Sequence, residues 1–176
     1  MPLDIGDEAP NFDLSSSEDA LLMLRDEVAR TPVVLYVFRD AADPGVGEDL
    51  AALAASRAEL GRRRARVLAV ARQPLADLKK LQAERKLPFA LLHDDREFCA
   101  AYGVVAAEEG GPARPALLLV DRDQKIRWQA APGATVAAAM GEILRQLDAH
   151  APVHASYPRS VVNRFIGRGV KRAVVS

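Results

Sequence analysis

Cysteine occurs once in the 176 residues, at Cys99. A single thiol excludes an intrachain disulfide and any zinc cluster built on cysteines. No apolar run approaches the ~20 residues that a membrane span requires. The start, MPLDIGDEAP, lacks the charged-then-apolar pattern of a secretory leader. A soluble cytoplasmic protein is the expectation. Net charge is absent too, with 24 basic and 24 acidic side chains, so overall charge gives no reason to expect a polyanionic partner. That balance is uneven along the chain. Residues 151–176 carry Arg159, Arg164, Arg168, Lys171 and Arg172 and no carboxylate side chain, which leaves residues 1–150 acidic by the same amount. The length suits one compact domain with a proper core.

What is present alternates between short apolar runs and helical spacings. Leu3 to Leu14 is polar and turn-rich, and predicts an extended entry with little regular structure. Ser15, Ser16 and Ser17 offer N-caps to a helix carrying Leu21, Leu22, Leu24 and Val28, ended by Pro32. Val67 to Ala71 predicts a buried strand, 74–86 a helix with Leu75, Leu78, Leu81 and Gln82 on one side, and Leu87 to Leu92 a short strand. Asp94 or Asp95 can cap a helix over 96–102 that Gly103 ends. Strands over 116–120 and 126–130 flank a turn as a hairpin. A last amphipathic helix, 135–148, carries Val136, Met140, Ile143, Leu144 and Leu147. Strands alternating with helices indicate an α/β fold, and the late hairpin makes the sheet mixed.

The most informative stretch is 33–50, VVLYVFRDAADPGVGEDL. Val33 to Phe38 suit a strand buried on both faces. A polar loop, Arg39 to Asp43, then leads through Pro44 and Gly45 into a helix over Glu48 to Leu60 that closes at Gly61. A strand, loop and helix start of this kind gathers free backbone N–H groups, and with the helix dipole these stabilise a thiolate. The first-turn position here holds Val46.

Four stretches in this order, IGDEAPNFDL (5–14), VVLYVFRDAADPGVGEDL (33–50), LPFALLHDDREFCAAYGV (87–104) and RPALLLVDRDQKIRW (114–128), resemble the peroxiredoxins of the alkyl hydroperoxide reductase C and thiol-specific antioxidant family. The resemblance implies a thioredoxin-like fold over 1–150, a basic extension over 151–176, and descent from thiol peroxidases. That family's active loop runs Pro, three residues, Thr, two residues, Cys. Laid on this chain, Arg39 takes the Pro position, Asp43 the Thr position and Val46 the Cys position. The family's arginine is matched by Arg114. Valine has no lone pair and cannot ionise, so the family's chemistry is expected to be missing. Asp43 reads either as an N-cap before Pro44 or as part of an arginine–carboxylate cluster with Arg39, Asp40 and Arg114.

Other candidates are weighed against plainer roles. Cys99 lies in REFCAAY, where a lone cysteine is commonly a small core residue, although Arg96 and the helix start nearby leave it as a rival nucleophile. His93, Asp94 and Asp95 read as a loop and cap. His150 and His154 are split by Pro152, so no metal is expected, and no cofactor. The run RRRAR (62–66) reads as a solvated helix end, since no aromatic residue is interleaved for base stacking. In the tail, Val161, Val162, Phe165 and Ile166 recur at helical spacing. This extension is expected to pack on the domain or on a twin subunit rather than on a membrane. The expectation is a non-catalytic binding or regulatory relative of the thiol peroxidases, with an unknown protein partner, possible homodimerisation and no nucleic acid. The rival is residual peroxidase activity through Cys99, and a third reading has Arg39 and Asp43 serving a different small molecule.

Overall fold

The computed structural model describes residues 3–94, 98–102 and 115–150. Seven strands form one sheet: Asp13–Ser16 (β1), Leu21–Met23 (β2), Val33–Phe38 (β3), Arg66–Ala71 (β4), Ala90–His93 (β5), Ala116–Val120 (β6) and Ile126–Gln129 (β7). Their order is β2-β1-β5-β4-β3-β6-β7. The β3, β4 and β5 strands are parallel, and β1, β2, β6 and β7 are antiparallel to their neighbours. The mixed sheet read from the sequence is therefore present.

Every residue of β3 is buried, because the sheet is covered on both sides and alternate side chains enter different cores. One core joins Val34, Tyr36 and Phe38 to Leu50, Leu53, Leu78 and Ile143. It lies under Val46–Ala55 (α2), Leu75–Arg85 (α4) and Val136–Ala149 (α6). The other joins Val33, Leu35 and Val37 to Ala9, Phe12, Leu24, Val28, Cys99 and Tyr102. It lies under Leu24–Val28 (α1), Phe98–Ala101 (α5) and the entry segment. Burying a Leu or Phe side chain contributes ~1.5–3 kcal/mol, so these two layers dominate the fold's stability.

Three local expectations are corrected. The serines at 15–17 do not cap a helix. Ser16 Oγ accepts from the backbone N–H groups of Glu18 and Ala20, and Ser17 Oγ accepts from Leu91 N–H at 3.0 Å. Short hydroxyl side chains satisfy a turn as readily as a helix start, so Leu21 and Leu22 lie in β2 and the helix shrinks to 24–28. The entry is more ordered than a bare loop: Glu8 bridges Lys125, and Ala9 and Phe12 are buried. Helix 48–60 begins earlier and is broken. Ser56 Oγ bonds the Ala52 carbonyl at 2.9 Å and competes with the helix ladder. The chain restarts there as Arg57–Arg62 (α3), which contains Gly61.

Among the arginines of 62–66, Arg63 donates to Asp148 at 2.8 and 3.0 Å and to Glu59, and Arg66 pairs with Glu27. The first ties the end of α3 to α6, and the second ties the start of β4 to α1. No helix of the described residues is long and apolar enough to cross a membrane.

Candidate functional site

The loop between β3 and α2 is held by its own polar groups. Arg39 Nη2 donates to Asp43 Oδ1 at 2.9 Å, and Asp40 N–H donates to Asp43 Oδ2 at 3.2 Å. Ala41 N–H donates to Gln73 Oε1 at 3.0 Å, which ties the loop to the end of β4. Asp43 is not the N-cap. Gly45 occupies that position with φ +84°, which glycine adopts without strain, and the Asp43 carboxylate turns back onto its own loop. Its carbonyl accepts from Val46 N–H at 3.3 Å. Arg39, half-exposed beside this carboxylate, has its guanidinium pKa raised, first by the hydrogen bond to Asp43 and then by its charge. Arg114, Asp95, Arg96, His154 and the tail 151–176 lie outside the described residues.

Val46 is the first residue of α2 and is fully buried, in the same core as Tyr36, Phe38 and Leu50. Over this turn lies Arg85, whose Nη1 donates to the Gly47 carbonyl at 3.2 Å. A Cβ at Gly47 would stand 3.0 Å from the guanidinium nitrogens, so a side chain there would push the end of Arg85 aside.

One turn on, Asp49 is buried. Its Oδ2 accepts from Tyr36 Oη at 2.8 Å and its Oδ1 from Val136 N–H at 2.8 Å. One carboxylate thereby joins β3, α2 and the start of α6, where the helix dipole favours a negative charge. Burial, followed by the hydrogen bond to Asp49, pushes the Tyr36 hydroxyl well above its ordinary range. The sequence reading passed over Asp49, Tyr36 and Gln73. A signal existed for Asp49: it falls in the stripe formed by Val46, Leu50 and Leu53, where a charge needs partners.

Cys99 sits on the opposite side of the sheet from Val46. It is fully buried, and Sγ donates to the Phe38 carbonyl at 3.7 Å. Burial pushes its thiol well above the ordinary range, and Asp94 adds to that through a hydrogen bond and its charge; Arg72 pulls weakly the other way. Asp94 accepts from Phe98 N–H and Cys99 N–H at 3.1 and 2.8 Å, so of the two aspartates offered as the cap it is the one seen to act. His93 Nδ1 lies 2.6 Å from the Gln73 carbonyl, so this nitrogen carries its proton. Among the described residues no group of three or more His, Cys, Asp or Glu is arranged to hold a metal ion.

A mixed sheet of this order, with a buried central strand feeding a loop and a helix, is the thioredoxin-like architecture of peroxiredoxins. Residues 5–129 match the AhpC/TSA family, and the chain belongs to that family. It is 27% identical over 106 residues to a Coxiella burnetii protein named "Putative peroxiredoxin bcp", covering 60% of this chain and 70% of that one. Its fold is that of Mycobacterium tuberculosis peroxidoxin BcpB, with a TM-score of 0.75 at 22% identity over 84% of this chain and 98% of that one. A mutant form of Xylella fastidiosa PrxQ superimposes with a TM-score of 0.74 at 21% identity, covering 86% and 99% of the two chains.

Proposed function

We propose that this chain is a peroxiredoxin-like protein without a peroxidatic cysteine, a non-catalytic binding or regulatory relative of the thiol peroxidases. The reading puts Val46 where the family carries its attacking cysteine, Asp43 at the threonine position and Arg39 at the proline position. Peroxide reduction by a thiol forms an S–O bond, breaks the O–O bond and leaves an oxyanion to be protonated. The attacking atom must be an exposed thiolate. One observation carries the proposal: the chain's single thiol is buried on the far face of the sheet, held protonated by burial and by Asp94. Val46 itself is packed in hydrocarbon, and the loop before it carries an Arg39–Asp43 ion pair. Such a pair leaves little net positive charge to stabilise the negative charge that the reaction builds up.

The protein acts in this reading through its surface, on another protein or a second copy of itself, with the 1–150 domain carrying the 151–176 extension. A cytoplasmic location belongs to the same proposal. The rival, residual peroxidase activity through Cys99, draws on the Arg72 charge, which lowers the thiol's proton affinity.

Hydrogen peroxide consumption with dithiothreitol, together with the iodoacetamide alkylation rate at neutral pH, separates the two. The proposal expects no turnover above the protein-free rate, and Cys99 alkylating on the order of 100-fold more slowly than an exposed cysteine. Turnover that disappears in Cys99→Ser would overturn it.

A further inference from the structure

A cavity of about 390 Å³ opens where β4 and β5 begin. Its size falls in the range of about 300–1,000 Å³ common for small-molecule sites. Val67, Pro88, Phe89 and Ala90 supply the apolar part of the lining, against a core in which Leu53 is wholly buried. Arg57, Arg66 and Glu18 supply the charges. The guanidinium of Arg66 is already paired with Glu27. Arg57, at the α2–α3 break, has no ion-pair partner among the described residues. This site is distinct from the β3–α2 loop, since it lies at the opposite end of the parallel strands. A six-residue strand spans about 20 Å.

We propose that this cavity binds a small organic monoanion with a compact apolar body, an aryl or branched-alkyl carboxylate, with Arg57 as the residue that holds the charge. The apolar part of the lining suits an apolar body, because burying polar groups against it without partners is costly. A guanidinium with no ion-pair partner among the described residues favours a carboxylate, which it can grip with two parallel N–H donors. Glu18 repels a second negative charge, so monoanions are preferred over dianions. Its carboxylate also offers an acceptor to a hydroxyl or amine on the bound molecule. The site is independent of whether the β3–α2 loop retains any chemistry.

Fluorescence titration of the full chain with anilinonaphthalene sulfonate, an aromatic monoanion, tests the assignment. Saturable one-site binding is expected, competed by phenylpropionate and not by its uncharged amide. Arg57→Glu weakens the probe ~10-fold or more. Arg64→Glu, which changes a neighbouring arginine outside the cavity, leaves binding unaltered. Ala65→Trp fills the cavity and removes binding; if it fails to fold, the Arg57 variant and the amide decide. Absence of saturable binding, equal competition by acid and amide, or an Arg57→Glu variant that binds like the original chain would overturn the proposal.

Discussion

On the face covered by α2, α4 and α6, the buried carboxyl of Asp49 is stitched to two elements at once. On the opposite face, under α1 and α5, Cys99 is held by one weak contact to the Phe38 carbonyl and by Asp94, while the buried Glu27 of α1 pairs with Arg66. The contrast follows from the partners available. A carboxylate can be buried where a phenol and a helix N–H converge on it. A thiol beside a carboxylate stays protonated. One face joins its elements through a carboxyl, and the other holds a thiol that keeps its proton.

The largest effect is expected from breaking the Asp49 link. Asp49→Ala strands the Tyr36 hydroxyl and the Val136 N–H in the core, and should cost about 3 kcal/mol in urea unfolding. Tyr36→Phe removes one of the two contacts and should cost about 1 kcal/mol. If both variants unfold at the original urea midpoint, Asp49 does not join these elements.

A middle-sized effect belongs to the Cys99 face and is read from pH. A thiol whose pKa is raised by folding binds its proton more tightly in the folded chain. Its contribution is therefore whole below the unfolded thiol's pKa of about 8.5, and falls above it by up to about 1.4 kcal/mol per pH unit. The Tyr36 and Tyr102 hydroxyls, both raised by burial, add the same trend above about pH 10. Between pH 8.5 and 10, on this scale, Cys99→Ala should lose stability less steeply than the original chain. Parallel curves for the two proteins would show that Cys99 is not the group responsible.

The smallest effect is expected at the surface. Arg63→Ala breaks the contacts to Asp148 and Glu59, which solvent and salt already screen. Its melting temperature should stay within scatter of the original, least of all differing at high salt. The Asp148 carboxyl, held below its usual range by the hydrogen bond from Arg63, should return toward that range in NMR titration.

The sheet was legible because β3, β4 and β6 are apolar runs whose burial on both faces leaves one reading. The family was legible because four modest stretches keep their order. What escaped had a different physical origin. The Ser15–Ser17 run carries the same hydroxyls whether it caps a helix or closes a hairpin, and only Leu91 across the sheet decides. Ser56 breaks a helix by bonding a carbonyl four residues back, which composition does not announce. Asp43 before Pro44 has the chemistry of a cap, yet Arg39 claims its carboxylate first. The cavity holding Arg57 draws its walls from three separate segments, around Glu18, Leu53 to Val67 and Pro88 to Ala90, so no single stretch could reveal it.

Phe38 belongs to both worlds of this molecule. Its ring packs in the core that holds Val46, while its carbonyl receives the Cys99 sulfhydryl from the other side, at the point where β3 gives way to Arg39. The frequency of the S–H stretch, which lies in an otherwise empty window of a protein's infrared spectrum, is therefore a native gauge of that strand end. It registers any tug on the adjoining loop without a label, a dye or an added chromophore.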